Sequence, residues 1–163
     1  MPPETVSDLF SLDWSAFTTD TVRLIAAFVL ALPVAYNREK ANQIMGLRTF
    51  PIVAVASCAY VIVGVSFIDA NNSPDAAARI IQGVMTGIGF LGGGAILKEG
   101  DRVRGAATAA SIWATGAIGV LSAYGRFDVA LLVTLAVLLV LRLLTPAKEE
   151  IDSAEEPESE RAS

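Results

Sequence analysis

Four groups of polar residues lie in or beside the long apolar runs of this chain, where polar chemistry is costly and marks function by default. Asn37, Arg38 and Glu39 close the first run, and Arg48 and Thr49 open the second. Arg79, Gln82 and Thr86 lead the third run into a glycine series, Gly83, Gly87, Gly89, Gly92, Gly93 and Gly94. In the fourth, Thr108, Ser111, Thr115, Gly119 and Ser122 recur at steps of three or four, so they share one helical face. Guanidinium groups at membrane depth hold anions or shape an ion's electrostatic barrier. A hydroxyl face beside a helix broken at Gly92, Gly93 and Gly94 is one way to build a solute site at mid-depth. Each pattern also has a purely structural reading. Arg38, Lys40 and Arg48 can snorkel to the interface and set orientation. The pairs Gly83/Gly87 and Gly89/Gly93 fit small-xxx-small helix packing. The hydroxyls can bond across helices or back to their own carbonyls. Gln82 and Thr86 continue the face of Arg79 at i+3 and i+7, so an inward orientation is expected for all three. The candidate ion partners of Arg79 are Asp75, one turn earlier, and Asp69.

Other chemistry is excluded by composition. There is no histidine, and Cys58 is the only cysteine. No intramolecular disulfide can form, and zinc or iron sites lose their commonest ligands. The cluster Asp69, Asn71, Asn72, Ser73, Asp75 lacks the glycine and distal glutamate of a calcium loop. It reads instead as a turn with Ser73, Pro74 and Asp75 starting a helix. No phosphate loop, zinc motif or nucleophile with a histidine base is present. The chain is expected to be a non-enzyme with no cofactor and no metal site. Its basic residues are few and split among loops, so nucleic acid is not an expected partner.

The elements that position these residues are long and apolar. Runs at 21–36, 50–68, 78–97, 106–124 and 127–144 approach the roughly 20 residues a bilayer-crossing helix needs. Strands of a membrane barrel would be about half as long and alternating. The fold class is an all-α membrane protein, a bundle of about five transmembrane helices, with the lipid bilayer as its first partner. Residues 1–20 form an extracytoplasmic or interfacial segment, in which Leu9, Phe10, Leu12, Trp14 and Phe17 suit a short helix at headgroup level. That segment is acidic and reads as no cleavable signal. Residues 145–163 hold seven of the seventeen acids against two of the twelve bases, leaving ten of each before them. This tail is expected to be disordered. With five spans, nine bases fall on one side and Arg23, Arg79 and Arg126 on the other. The positive-inside rule then places the N-terminus outside and the tail in the cytoplasm.

Taken in order, several motifs carry a resemblance. They are Gly46-Leu47-Arg48-Thr49, then Arg79 ahead of Gly87-Ile88-Gly89-Phe90-Leu91-Gly92-Gly93-Gly94, then Val103-Arg104-Gly105, Thr108-Ala109-Ala110-Ser111-Ile112-Trp113 and Ala117-Ile118-Gly119. Over roughly residues 21–144 the chain resembles the MgtC/SapB family of bacterial inner-membrane proteins. The resemblance implies a membrane domain of four or five helices and a role linked to magnesium limitation, in some pathogens to survival inside host cells. It does not name a molecular activity. The family's polar set falls here on Arg38, Glu39, Arg48, Thr49, Arg79, Arg104, Thr108 and Ser111. Asn37 stands where some members carry a carboxylate, which weakens a cation site there. Many members also have a soluble C-terminal domain, where this sequence has its acidic tail. Three functional classes follow. The first is a non-enzymatic inner-membrane protein of magnesium homeostasis or envelope stress, acting as a homo-oligomer. The second is a transporter or channel with a polar pathway between the third and fourth helices. The third is an adaptor regulating another membrane complex.

Overall fold

The structure is a computed structural model, which describes residues 13–41, 45–71, 74–99 and 102–155. The order of elements is α1 (Trp14–Lys40), α2 (Thr49–Asn71), α3 (Pro74–Gly94), β1 (Leu97–Glu99), β2 (Arg102–Arg104), α4 (Ala106–Ala123) and α5 (Phe127–Glu155).

α1 is the second longest helix, although its apolar run is the shortest. Asp13 explains the early start. Its carboxylate accepts from the backbone N–H of Ser15 at 2.9 Å and of Ala16 at 3.2 Å, and from the Ser15 hydroxyl at 2.8 Å. These bonds, the Ser15 hydroxyl first, hold the Asp13 carboxyl below the usual carboxylate range. Residues 14–20, assigned by sequence to a separate terminal segment, therefore belong to α1, and the expected start at 21 is corrected. Residues 1–12 of that segment lie outside the described residues. Pro33 sits inside α1. Membrane helices tolerate this because neighbouring groups satisfy the freed carbonyl.

α3 stops at Gly94. The Ala95 N–H donates to the carbonyls of Leu91 at 3.2 Å and Gly92 at 3.1 Å, and the Ile96 N–H donates to Gly93 at 3.2 Å. Gly92, Gly93 and Gly94 thus end the helix and do not interrupt it. The run expected to continue to 97 is replaced by a short antiparallel hairpin, pairing Leu97 with Arg104, Lys98 with Val103 and Glu99 with Arg102. Gly105 follows with φ 88° as the N-cap of α4. A Cβ there would overlap the Ala95 carbonyl, so the end of α3 and the start of α4 meet at a position only glycine fits. Ser73, the expected cap of α3, lies outside the described residues, as do Asn72 and the tip of the hairpin.

α5 extends past the apolar run to Glu155. The tail expected to be disordered from 145 is helical to that point, and residues 156–163 lie outside the described residues. Ala147, Lys148, Glu149 and Glu150 are strong helix formers, and extending an existing helix costs far less than nucleating one.

Packing centres on α4, which contacts each of the other four helices. α1 and α2 flank it, α5 lies against α1 and α4, and α3 rests mainly on α2 and α4. Small residues allow close approach. Ala27, Ala31, Ala35 and Ala54 are fully buried. Gly119 lies against the Ala54 carbonyl and Ser57 Cβ, Gly116 against Ile88, and Gly64 against Ile80. Towards the end where α4 begins, Val34, Ala35, Phe50, Val53, Ile88, Ala95, Ile112 and Leu141 form one core cluster. The polarity is inside-out. Ser57, Thr108, Ser111, Thr115, Ser122 and Thr134 are buried, while Phe28, Tyr60, Leu132, Leu139 and Leu143 are exposed. In water such a surface would aggregate; in lipid it is solvated. Among the described residues, four helices are long and apolar enough to cross a membrane: α1, the 49–66 part of α2, α4, and the 127–144 part of α5. This is an all-α, multi-pass membrane protein. α3 is not among the four.

Candidate functional site

The chain order brings the C-terminus of α1, the N-terminus of α2, the hairpin and the N-terminus of α4 to one end of the bundle. Here the first two polar groups fall. Among the described residues, Arg38 is the one charged side chain that this end takes inside, with 4 % of its surface exposed. Its Nη2 donates to Asn37 Oδ1 at 3.5 Å, and its buried Nε has no partner among the described residues. Asn37 is half-buried and Glu39 exposed. Glu39 Oε2 accepts the Leu47 N–H at 3.0 Å, and Gly46 packs against the same carboxylate, where a Cβ would overlap it. Glu39 therefore pins the turn that leads into α2, while its neighbour Arg38 points into the bundle. Arg48 and Arg104 are exposed at this end, and Thr49 is half-buried.

The hydroxyl face of α4 is buried as its spacing implied. The hydrogens are used locally. Ser111 Oγ donates to the Ala107 carbonyl at 2.7 Å, Thr115 Oγ1 to Ser111 at 2.8 Å and Ser122 Oγ to Ile118 at 2.8 Å. On the facing helix, Ser57 Oγ donates to the Val53 carbonyl at 2.7 Å. Such back-bonded hydroxyls make a small, self-satisfied surface that packs tightly. At Gly119 this surface meets α2 through Ala54 and Ser57, and it does not turn to α3 there.

The third group is placed opposite to expectation. Arg79, Gln82 and Thr86 share a face, but that face is exposed. Ile80, Val84 and Ile88, at steps of four, form the inner stripe of α3. Burying these apolar side chains turns Arg79, Gln82 and Thr86 outward. Thr86 Oγ1 donates to the Gln82 carbonyl at 2.8 Å. Among the described residues no ion pair joins Asp75 to Arg79. The glycines follow the same geometry. Of the α3 glycines, only Gly92 meets a neighbour among the described residues, its would-be Cβ 3.5 Å from the Ala109 carbonyl. A Cβ at Gly83, Gly87, Gly89, Gly93 or Gly94 would meet nothing within 4 Å. Packing of these five against helices of the same chain is therefore corrected.

A cleft of ≈ 560 Å³ lies between α3 and α4, lined by Ala78, Ile81, Gln82, Met85, Thr86 and Trp113. A second, of ≈ 230 Å³, has an apolar lining that includes Val84, Ile88, Trp113 and Val120. Gln82 and Thr86 are the polar side chains of this region. Among the described residues no cluster of three or more His, Cys, Asp or Glu is placed to hold a metal. Sequence reading passed over Thr134, the lone polar residue in an apolar stretch of α5. Its Oγ1 donates to the Leu30 carbonyl of α1 at 3.1 Å, as well as to Ala130 at 3.0 Å. Its isolation in that stretch was the available signal.

A family model described as MgtC family matches residues 24–150, which takes in α2, α3 and α4 whole and most of α1 and α5. The chain belongs to the MgtC family. The protein MgtC of Salmonella typhimurium (strain 14028s) is 36% identical over 131 residues, 80% of this chain and 54% of that protein. The protein MgtC of Brucella abortus (strain 2308) is 34% identical over 139 residues, 85% of this chain and 57% of that protein. The chain spans about half the length of the curated relatives it matches. No solved structure matches. Within the MgtC-matched region lie every residue of the basic end described above and the whole outward face of α3.

Proposed function

We propose that this MgtC-family protein acts in the bacterial inner membrane in adaptation to low magnesium or envelope stress, as a non-enzymatic membrane component. The observation that carries the reading is the family match over residues 24–150, most of the helical bundle. The magnesium link comes with the family resemblance. The test is growth of a deletion strain, with and without the gene restored, across a magnesium series. Loss of growth at low magnesium alone, restored by the gene, supports the reading; equal growth at every magnesium level would refute it.

In this reading α3 is a fifth crossing helix. Its 21 residues reach about 31 Å at 1.5 Å per residue, enough for the hydrocarbon core. It lies beside α2 and α4 over most of its length, from Ile80 on Gly64 to Gly92 on Ala109. Five crossings place the N-terminus outside and α5's end in the cytoplasm, following the bases. α3 is too polar to face lipid along Arg79, Gln82 and Thr86, and five of its six glycines are uncovered. We therefore assign that face to protein contact. A second copy of the chain is the first candidate and a different membrane complex, as for an adaptor, the second. A transport pathway between α3 and α4 has less support, because the cleft is lined mainly by apolar side chains. Flux in proteoliposomes separates transport from the other two classes.

A further inference from the structure

Arg38 brings a positive charge into the end of the bundle with almost nothing among the described residues to neutralise it. Its one hydrogen bond among the described residues is the 3.5 Å contact from Nη2 to Asn37, at the far limit of hydrogen bonding. Nε has none and is shielded within the protein. Nε–H and the Nη2–H beside it form one edge of the guanidinium, the edge that grips a carboxylate or phosphate through two parallel bonds. The adjacent carboxylate is not available, because Glu39 is bonded to the Leu47 N–H on the outer side. Apart from Glu39, the charges whose side chains are described at this end are Lys40, Arg48, Lys98, Arg104 and Arg142, all exposed and all basic. Two helices also start here, α2 and α4, and the Gly105 cap of α4 offers no side-chain acceptor. Helix N-termini attract negative charge. A buried, unpaired cation is strongly disfavoured, so a counter-charge should complete the group.

We propose that this end of the bundle binds a phosphate oxyanion, held side-on by Nε and Nη2 of Arg38. Arg38 lies two residues before the end of α1, at the level where the helix leaves the apolar core. Both sources of the group reach that level: the phosphodiester of a phospholipid headgroup and free inorganic phosphate. The proposal is independent of any role in magnesium adaptation.

The test uses the purified full-length chain, delipidated in detergent. Thermal melting is followed in sodium phosphate and in sodium chloride of equal ionic strength. Native mass spectrometry follows adducts with added phosphatidylglycerol and phosphatidylcholine. The wild type should be stabilised by phosphate or retain a phospholipid. Stabilisation by inorganic phosphate alone identifies the free ion, and retention of phospholipid alone identifies the headgroup; either result supports the site. R38K keeps the charge and removes the two-donor edge, and should weaken binding about tenfold or more. R142Q, which removes an exposed base at the same end, should change it less than about threefold. A wild type that responds to neither probe would overturn the proposal, whether or not R38K folds. So would an R38K protein that binds as the wild type does. A wild type that responds to neither probe but is destabilised by E149Q/E150Q would assign the counter-charge to the chain's own carboxylates, and would also overturn it.

Discussion

Gly119 and Gly89 are both glycines of membrane helices, yet they have opposite surroundings. Gly119 is pressed onto the Ala54 carbonyl and has Ser57 Cβ 2.8 Å from its would-be Cβ, whereas Gly89 would meet nothing within 4 Å. Gly119→Val should therefore lower stability by ~1–3 kcal/mol through overpacking against backbone. Gly89→Val should leave the monomer's unfolding in detergent unchanged. Equal midpoints for the two variants would mean that α2 and α4 do not cross at Gly119. Thr134 gives a second test at this scale. Thr134→Val removes the bond to the Leu30 carbonyl with little change of shape. A loss of about 0.6 kcal/mol, up to ~1.7, is expected from comparable bonds in membranes. Denaturant titration of the two proteins measures it, and a more stable valine variant would show that the α5–α1 bond contributes nothing. Asp13 adds a pH dependence. Its folded pKa lies below the ordinary aspartate value, so its capping contribution is complete above that value and is lost as pH falls through the lower, folded value. Protection of the Ser15 and Ala16 amides, taken relative to intrinsic exchange at each pH, should fall over that acid range in the wild type and be low at every pH in Asp13→Ala. Exchange at these amides that ignores both changes would rule out the cap.

At the scale of elements, α3 carries the largest gap between sequence and structure. Its composition shows a helix with one polar face, and periodicity alone cannot say whether that face turns to the bundle. The answer depends on which neighbours α2 and α4 offer, and Gly64, Gly116 and Ala109 offer sockets for Ile80, Ile88 and Gly92. Those sockets fix the rotation of α3 and leave Arg79, Gln82 and Thr86 outside. The α4 hydroxyl face, by contrast, was legible from spacing alone, because its five positions allow only one buried stripe. Glycine counts misled for a similar reason: small residues mark close approach only when a partner lies opposite. The position of Arg38 was legible as polar but not as buried, since its immediate neighbour Glu39 takes the outward turn. If the exposed α3 face meets a second copy, a cysteine at Thr86 should cross-link between chains in isolated membranes. Cys58 is buried and should stay silent in that experiment. Cross-linking only to a different protein would point to the adaptor class, and none at all would return the face to lipid.

For the molecule as a whole, charge separates the two ends of the bundle. Nine bases belong to the end with the hairpin and to the chain beyond it, and Arg23, Arg79 and Arg126 to the other. At the second end, Arg126 forms an exposed two-point pair with Asp128 at 3.1 and 3.2 Å, and Arg23 pairs with Asp20 at 3.3 Å. Two of the three bases opposing the positive-inside rule are thus matched by local acids, and Arg79 remains without a pair among the described residues. Reporter fusions after residue 155 and before residue 13 should report opposite sides of the membrane, with the C-terminal fusion on the cytoplasmic side. An active periplasmic reporter at the C-terminal position would invert the whole arrangement. The order of helices was readable from the sequence, because bilayer thickness constrains their apolar runs directly. The extension of α5 to Glu155 was not, since strong helix formers in an acidic segment satisfy the compositional signature of disorder equally well.

The short hairpin between α3 and α4 has a consequence for how the chain enters the membrane. α4 has the lowest mean hydropathy of the four spanning candidates, 1.4, and α3 is not among them at all. Neither is a strong insertion signal by itself, whereas the 127–144 segment that follows reaches 2.5. The paired strands and the tight Ala95–Gly105 contact join α3 and α4 into one unit. Partitioning them together hides Ile88 against Gly116 and spares each helix a lone exposure to lipid. Biogenesis should therefore be cooperative in the middle of the chain: α3 transferred alone to a reporter protein should insert poorly, and the segment 74–123 should insert efficiently as a pair.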